Sequence, residues 1–179
     1  MGASLIGAKI MLKLLLGDFE NGPSFTIDDI FDFFKKDEQK DAKAAIARLR
    51  YEEAIKQKQN YNGSVLVSLS EKGKLRALNL IFRRFDNKKE EWDGKWRMVS
   101  FDVPVHCTKG RKALVYRLKS SGFYELQDSL FIYPYNCEKE VKMLANLFKI
   151  EKYICFGLLE SIDSQDKLIH HFKLGKHTG

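Results

Sequence analysis

The run Asp86-Asn-Lys-Lys-Glu-Glu-Trp-Asp-Gly-Lys95 constrains the fold most, because it offers almost nothing to bury. A polar run of this length predicts a linker, and it cuts the 179 residues into two halves, each suited to one small domain. The expected boundaries are a first domain over residues 1–86, a linker over 87–95 and a second domain over 96–179. The net charge of +7 divides into +4 for residues 1–90 and +3 for the rest, so no basic tail hangs on a neutral body. A moderately basic chain fits an anionic partner such as nucleic acid but does not require one.

Cys107, Cys137 and Cys155 are far apart and odd in number, with no CxxC and no Cys/His cluster at zinc-finger spacing. They read as reduced thiols of a cytoplasmic protein. The pair His170-His171 reads as solvated residues of a terminal helix rather than metal ligands. The apolar run from Leu5 to Leu16 superficially resembles a signal peptide. No basic segment precedes it, Lys9 and Lys13 interrupt it, and no small-residue cleavage site follows. Ile6, Ile10, Leu14 and Gly17 instead fall at helical spacing, and no segment is long and apolar enough to span a membrane.

The first half predicts helix, helix, helix, hairpin, helix. The first helix runs from about Ser4 to Leu16 and stops at Gly17, with Gly22-Pro23 in the following loop. Thr26 is a good N-cap for a short second helix, with Asp28 and Asp29 where the helix dipole favours anions. The third helix covers about Glu38 to Glu53, with Ala42, Ala45, Ile46 and Leu49 on its apolar face. Its opposite face carries Gln39, Lys40, Lys43, Ala47 and Arg50. That combination suits a major groove: small residues permit close approach, and long polar chains reach phosphates and base edges. Strands over 54–59 and 64–70, joined by Asn60-Tyr-Asn-Gly63, predict a hairpin with Lys56 and Lys58 on one face. Ser70 then opens a fourth helix to about Phe85. The order matches a winged helix-turn-helix domain, and Leu69-Ser-Glu-Lys-Gly-Lys-Leu-Arg-Ala77 resembles the stretch after the wing in many such regulators.

The second half predicts a βαββαβ order. Trp96-Arg-Met-Val-Ser-Phe-Asp-Val-Pro104 is a buried strand that delivers Asp102 at its end and is stopped by Pro104. A helix over 108–121 ends at Gly122, two short strands cover 123–127 and 129–133, a helix covers 137–148 and a strand covers 153–160. The fold class expected is therefore α+β: a winged helix followed by a ferredoxin-like domain whose open sheet face and edge suit dimerisation.

Asp102 with Pro104, Arg111, Gly122-Phe123 and Leu126-Gln127-x-Ser129-x-Phe131 together resemble the domain shared by two families. One is the small metal-dependent nuclease-like subunit of CRISPR spacer acquisition; the other is the PaaX-type transcriptional regulators. The first resemblance implies that Asp102 binds Mg²⁺ with its copy across a dimer and cleaves phosphodiesters. The second implies a winged helix ahead of this domain, as the first half predicts, and no catalysis. Regulators of that type carry a further C-terminal domain that this sequence does not show, so acyl-CoA sensing is not expected. The expectation is a dimeric regulator that binds double-stranded DNA without a cofactor, through Gln39, Lys40, Lys43 and Arg50 in the groove and Lys56 and Lys58 on the backbone. The alternatives are a Mg²⁺-dependent endonuclease using Asp102 and a scaffold whose winged helix binds protein. Without chemistry to do, Asp102 would cap the next helix or accept backbone N–H groups in the turn before it.

Overall fold

The computed structural model describes residues 5–21, 25–83, 91–163 and 165–174. Ser4, the Gly22-Pro23 loop, Phe85 and residues 86–90 of the polar run lie outside them. The chain is mixed helix and antiparallel sheet and divides into two compact units, Met1–Ile81 and Phe82–Gly179. Among the described residues, no helix is long and apolar enough to cross a membrane.

The first unit runs α1 (Leu5–Asn21), β1 (Phe25–Thr26), α2 (Ile27–Asp32), α3 (Gln39–Tyr51), β2 (Ile55–Gln59), β3 (Val65–Leu69) and α4 (Glu71–Phe82). Helix α1 does not stop at Gly17. That glycine faces the Phe25 ring so closely that a Cβ would lie 2.1 Å from it. It is a packing glycine, and the helix continues for another turn. Thr26 caps α2 as expected: its Oγ1 accepts the Asp29 N–H at 3.1 Å, and Asp29 Oδ2 accepts the Thr26 N–H at 2.7 Å. Those bonds from Thr26 hold the Asp29 carboxyl below its ordinary pKa. The two-residue β1 pairs with β3 through Phe25–Val67 and Thr26–Leu66, giving a sheet ordered β1-β3-β2. Ile10, Leu14, Ile30, Ala42, Leu49, Val67 and Leu78 form its buried interior.

Ser70 joins the hairpin to α4. Its N–H donates to Ala54 O at 3.0 Å, its hydroxyl donates to Glu53 O at 2.6 Å and accepts the Gly73 N–H at 3.0 Å. At Gly73 a Cβ would sit 1.9 Å from the same Ala54 carbonyl. The Ser-x-x-Gly phrase is thus a joint in which helix backbone meets strand backbone with no room for a side chain.

The second unit runs β4 (Trp96–Phe101), α5 (Thr108–Ser120), β5 (Tyr124–Gln127), β6 (Leu130–Tyr133), α6 (Glu138–Leu147), β7 (Ile154–Leu159) and α7 (Gln165–Phe172). All pairings are antiparallel in the order β5-β6-β4-β7, so β4 is central and each β-α-β crossover skips a strand. Alternation along β4 turns Val99 and Phe101 to one face and Trp96 and Met98 to the other. The second face is not open along its whole length. Trp92 and the apolar side of α7, centred on buried Leu168, cover Trp96 and Ile132. Residues 91–95 are therefore anchored: Trp92 lies 4.6 Å from the Trp96 ring, and Asp93 forms a two-pronged pair with Arg97 at 2.6 and 2.7 Å. That pair holds the Asp93 pKa down to about 2.

Candidate nucleic-acid interface

Successive α-helical residues are 100° apart, which sorts α3 into two faces. Ala42, Ala45, Ile46 and Leu49 are buried, and Lys40, Lys43, Ala44, Ala47 and Arg50 are exposed opposite them. The structure thus brings Lys40, Lys43 and Arg50 onto one face around two alanines. Gln39 stands at the edge of that face and is half-buried. The Lys43 ammonium lies 5.6 Å from the centre of the Phe31 ring, which braces its stem over α2. Tyr51, 89% exposed, extends the same face by eight positions beyond Lys43. Sequence reasoning missed it, although the same 100° count places it within about 20° of Lys40.

Arg48 is not part of the free face. Its Nε donates to Glu52 at 2.9 Å, and Arg76 of α4 donates to the other Glu52 oxygen at 2.7 Å. The two hydrogen bonds, that from Arg48 foremost, keep the Glu52 carboxyl below its ordinary pKa. This acid ties the end of α3 to α4. Lys40, Lys43 and Arg50 have no acidic partner of their own among the described residues.

Strand β2 is the outer strand of its sheet, and only Ile55 in it is buried. Lys56 and Lys58, two residues apart, lie on one face and are exposed. The turn beyond them is held by the Ser64 N–H and hydroxyl, both donating to Asn62 Oδ1 at 3.0 and 2.7 Å, with Gly63 at φ 81°. Tyr61 projects from the tip fully exposed. The outer strand and tip of the hairpin therefore present a basic, polar surface, while Ile55, Val67 and Leu69 are buried.

In the second unit Asp102 follows β4 with its N–H donating to Tyr153 O at 3.0 Å. The carboxylate is exposed, and it caps nothing: neither the turn Val105–Cys107 nor α5 has a side-chain cap. The capping role expected of Asp102 is not found, because Pro104 holds the N-cap position of that turn and Cys107 that of α5. Arg111 donates to Ser129 Oγ at 3.2 Å, while Ser129 O, on a backbone at φ 63°, accepts the Phe101 N–H at 3.0 Å. At this end of β4 the β5–β6 turn is thus braced by Arg111 and the Phe101 N–H, both on Ser129, while Asp102 bonds through its backbone to Tyr153. Among the described residues, no group of three or more His, Cys, Asp or Glu is placed to hold a metal ion.

Residues 89–168 match the family model for the central Cas2-like domain of PaaX proteins. Comparison with curated proteins and with solved structures returns no match.

Proposed function

We propose that this chain, a PaaX-type protein whose residues 89–168 form the Cas2-like domain, is a DNA-binding transcriptional regulator. One observation carries the reading: the exposed face of α3 holds Lys40, Lys43 and Arg50 around Ala44 and Ala47, in the same unit as a hairpin bearing Lys56 and Lys58. The order of elements from α1 to α4, with a sheet ordered β1-β3-β2, supports a winged helix-turn-helix with α3 as recognition helix and β2–β3 as wing. In this reading Gln39, Lys40, Lys43 and Arg50 enter the major groove, the two alanines allow close approach, and Lys56 and Lys58 contact phosphates. The protein acts in the cytoplasm as a homodimer on a palindromic operator, most simply as a repressor, and needs no cofactor.

A Mg²⁺ site at Asp102 fits poorly within one chain. Mg²⁺ is usually bound through one or two carboxylates together with substrate phosphates. Here Asp102 is exposed, and among the described residues no group of three or more His, Cys, Asp or Glu is placed to hold a metal ion. The endonuclease reading therefore requires a second Asp102 from another copy, and it predicts Mg²⁺-dependent cleavage that Asp102→Asn abolishes.

The regulator reading is tested by Lys43→Glu with Arg50→Glu, both exposed and outside the core. At low salt the pair should weaken duplex binding by about a hundredfold or more. Unchanged affinity would remove α3 from the interface.

A further inference from the structure

We infer that the outward face of α5, formed by Lys109, Lys112, Tyr116 and Lys119, is a second surface for the nucleic-acid phosphate backbone. It lies on the Cas2-like domain and on residues separate from α3 and the wing.

The helix Thr-Lys-Gly-Arg-Lys-Ala-Leu-Val-Tyr-Arg-Leu-Lys-Ser carries five cations and no acid. The other helices of this unit are mixed: α6 has Glu138 and Glu140, with Lys142 paired to Glu138 at 2.5 Å, and α7 has Asp166. Gly110, Leu114 and Leu118 are the buried side of α5. Lys109, Lys112, Tyr116 and Lys119 recur at i, i+3, i+7 and i+10 on the opposite side, and all are exposed. At 1.5 Å per residue the stripe is about 15 Å long, the length of several nucleotides of backbone.

Folding alone does not favour this arrangement. The first turn of α5 has no acid and contains Lys109 and Arg111, followed by Lys112, cations at the positive end of the helix dipole. Helices α2 and α6 of the same chain place Asp28, Asp29, Glu138 and Glu140 there instead. Lys109 and Lys112 also repel each other at i, i+3. Neither has an ion-pair partner among the described residues, whereas Lys119 has Glu125 at 2.6 Å. A polyanion lying along the stripe relieves both penalties. Tyr116 is 65% exposed between the lysines, with the Arg117 guanidinium 5.4 Å from its ring centre. An exposed hydroxyl and ring in that place can bond a phosphate or pack on a sugar. The face has no apolar stripe to insert into a lipid surface.

The test uses the full chain and a duplex of fixed sequence, with binding followed across a salt series. Lys109→Gln with Lys112→Gln should lower the slope of log affinity against log salt by about 2, near 0.9 for each phosphate that is no longer neutralised. It should leave the set of sequences enriched from a random pool unchanged, and Lys109→Arg with Lys112→Arg should restore the slope. An unchanged slope in the glutamine pair, with a wild type that binds, overturns this inference and leaves the α3 reading standing. If Lys43→Glu with Arg50→Glu changes nothing while the glutamine pair abolishes binding, the α5 surface stands and the α3 reading falls. A wild type that binds no duplex at low salt overturns both.

Discussion

Replacing Gly73 by alanine drives a methyl group into the Ala54 carbonyl, because the added Cβ would lie 1.9 Å from the oxygen and 2.9 Å from its carbon. Reaching ordinary carbon–oxygen contact requires about 1.4 Å of separation between α4 and the start of β2. Both partners are backbone, so no rotamer change relieves the clash. Separation also lengthens the Ser70 N–H bond to Ala54 O and the Ser70 hydroxyl bond to Glu53 O, now 3.0 and 2.6 Å. Overpacking of this kind costs about 1–3 kcal/mol, and each weakened bond about 1 kcal/mol. Alanine regains about 1 kcal/mol of helix propensity. The net loss is about 2–4 kcal/mol, a fall in Tm of roughly 10–30 °C for a unit of this size. Thermal melts followed by circular dichroism would measure it against Lys72→Ala, an exposed change in the same helix expected to stay within about 0.5 kcal/mol. A Gly73→Ala variant that melts at or above wild type would refute the argument, since only the propensity gain would then remain.

Three further outcomes follow from the charges. Asp18 has its Oδ1 enclosed without a hydrogen-bond partner, and burial raises its pKa against the opposing pull of Lys74 and a Leu69 backbone bond. Its contribution to stability is present below the ordinary value of 3.8 and is lost as pH rises through the raised folded value. Asp18→Asn should therefore raise Tm most near pH 8 and give no advantage below pH 3.8, as melts across pH would show. Asp93 behaves oppositely: its pKa, lowered from 3.8 to about 2 by Arg97, contributes stability above 3.8 that disappears as pH falls toward 2. Discounted for a side chain half-exposed to solvent, this is about 1 kcal/mol. Arg97→Lys, which loses the two-pronged bond, should forfeit it. Both tryptophans, Trp92 and Trp96, lie in this unit, so their fluorescence reports its acid unfolding directly. Asp102→Asn should leave duplex affinity within about twofold and stability within about 0.5 kcal/mol, because the carboxylate is exposed and bonds nothing among the described residues. A large loss of affinity in a binding assay would return Asp102 to the functional site.

Local chemistry is readable in the sequence where one short segment decides the outcome. Thr26 and Asp29 cap α2 through bonds three residues apart, and Asn62-Gly63 closes the hairpin with its own side chain and a positive φ. The two faces of α3 follow from periodicity alone. What sequence reasoning misses depends on distant partners. Gly17 has the look of a helix stop, yet its lack of a side chain serves the Phe25 ring eight residues on. Strand β1 has two residues, too few for any alternation, and exists through Val67 and Leu66. The Glu52 link to Arg76 spans 24 positions. Helix α7 is legible as a terminal helix, but its docking over Trp96 follows from the tertiary arrangement and takes part of the sheet face expected to serve dimerisation.

The central claim is sequence-specific recognition of DNA through α3. Selection of bound duplexes from a random pool by the full chain tests it most directly. The account predicts enrichment of a palindrome whose base preferences blur in Arg50→Ala, while exchanging Lys56 and Lys58 for glutamine weakens all sequences alike. No enriched sequence, or a palindrome indifferent to Arg50, would contradict it.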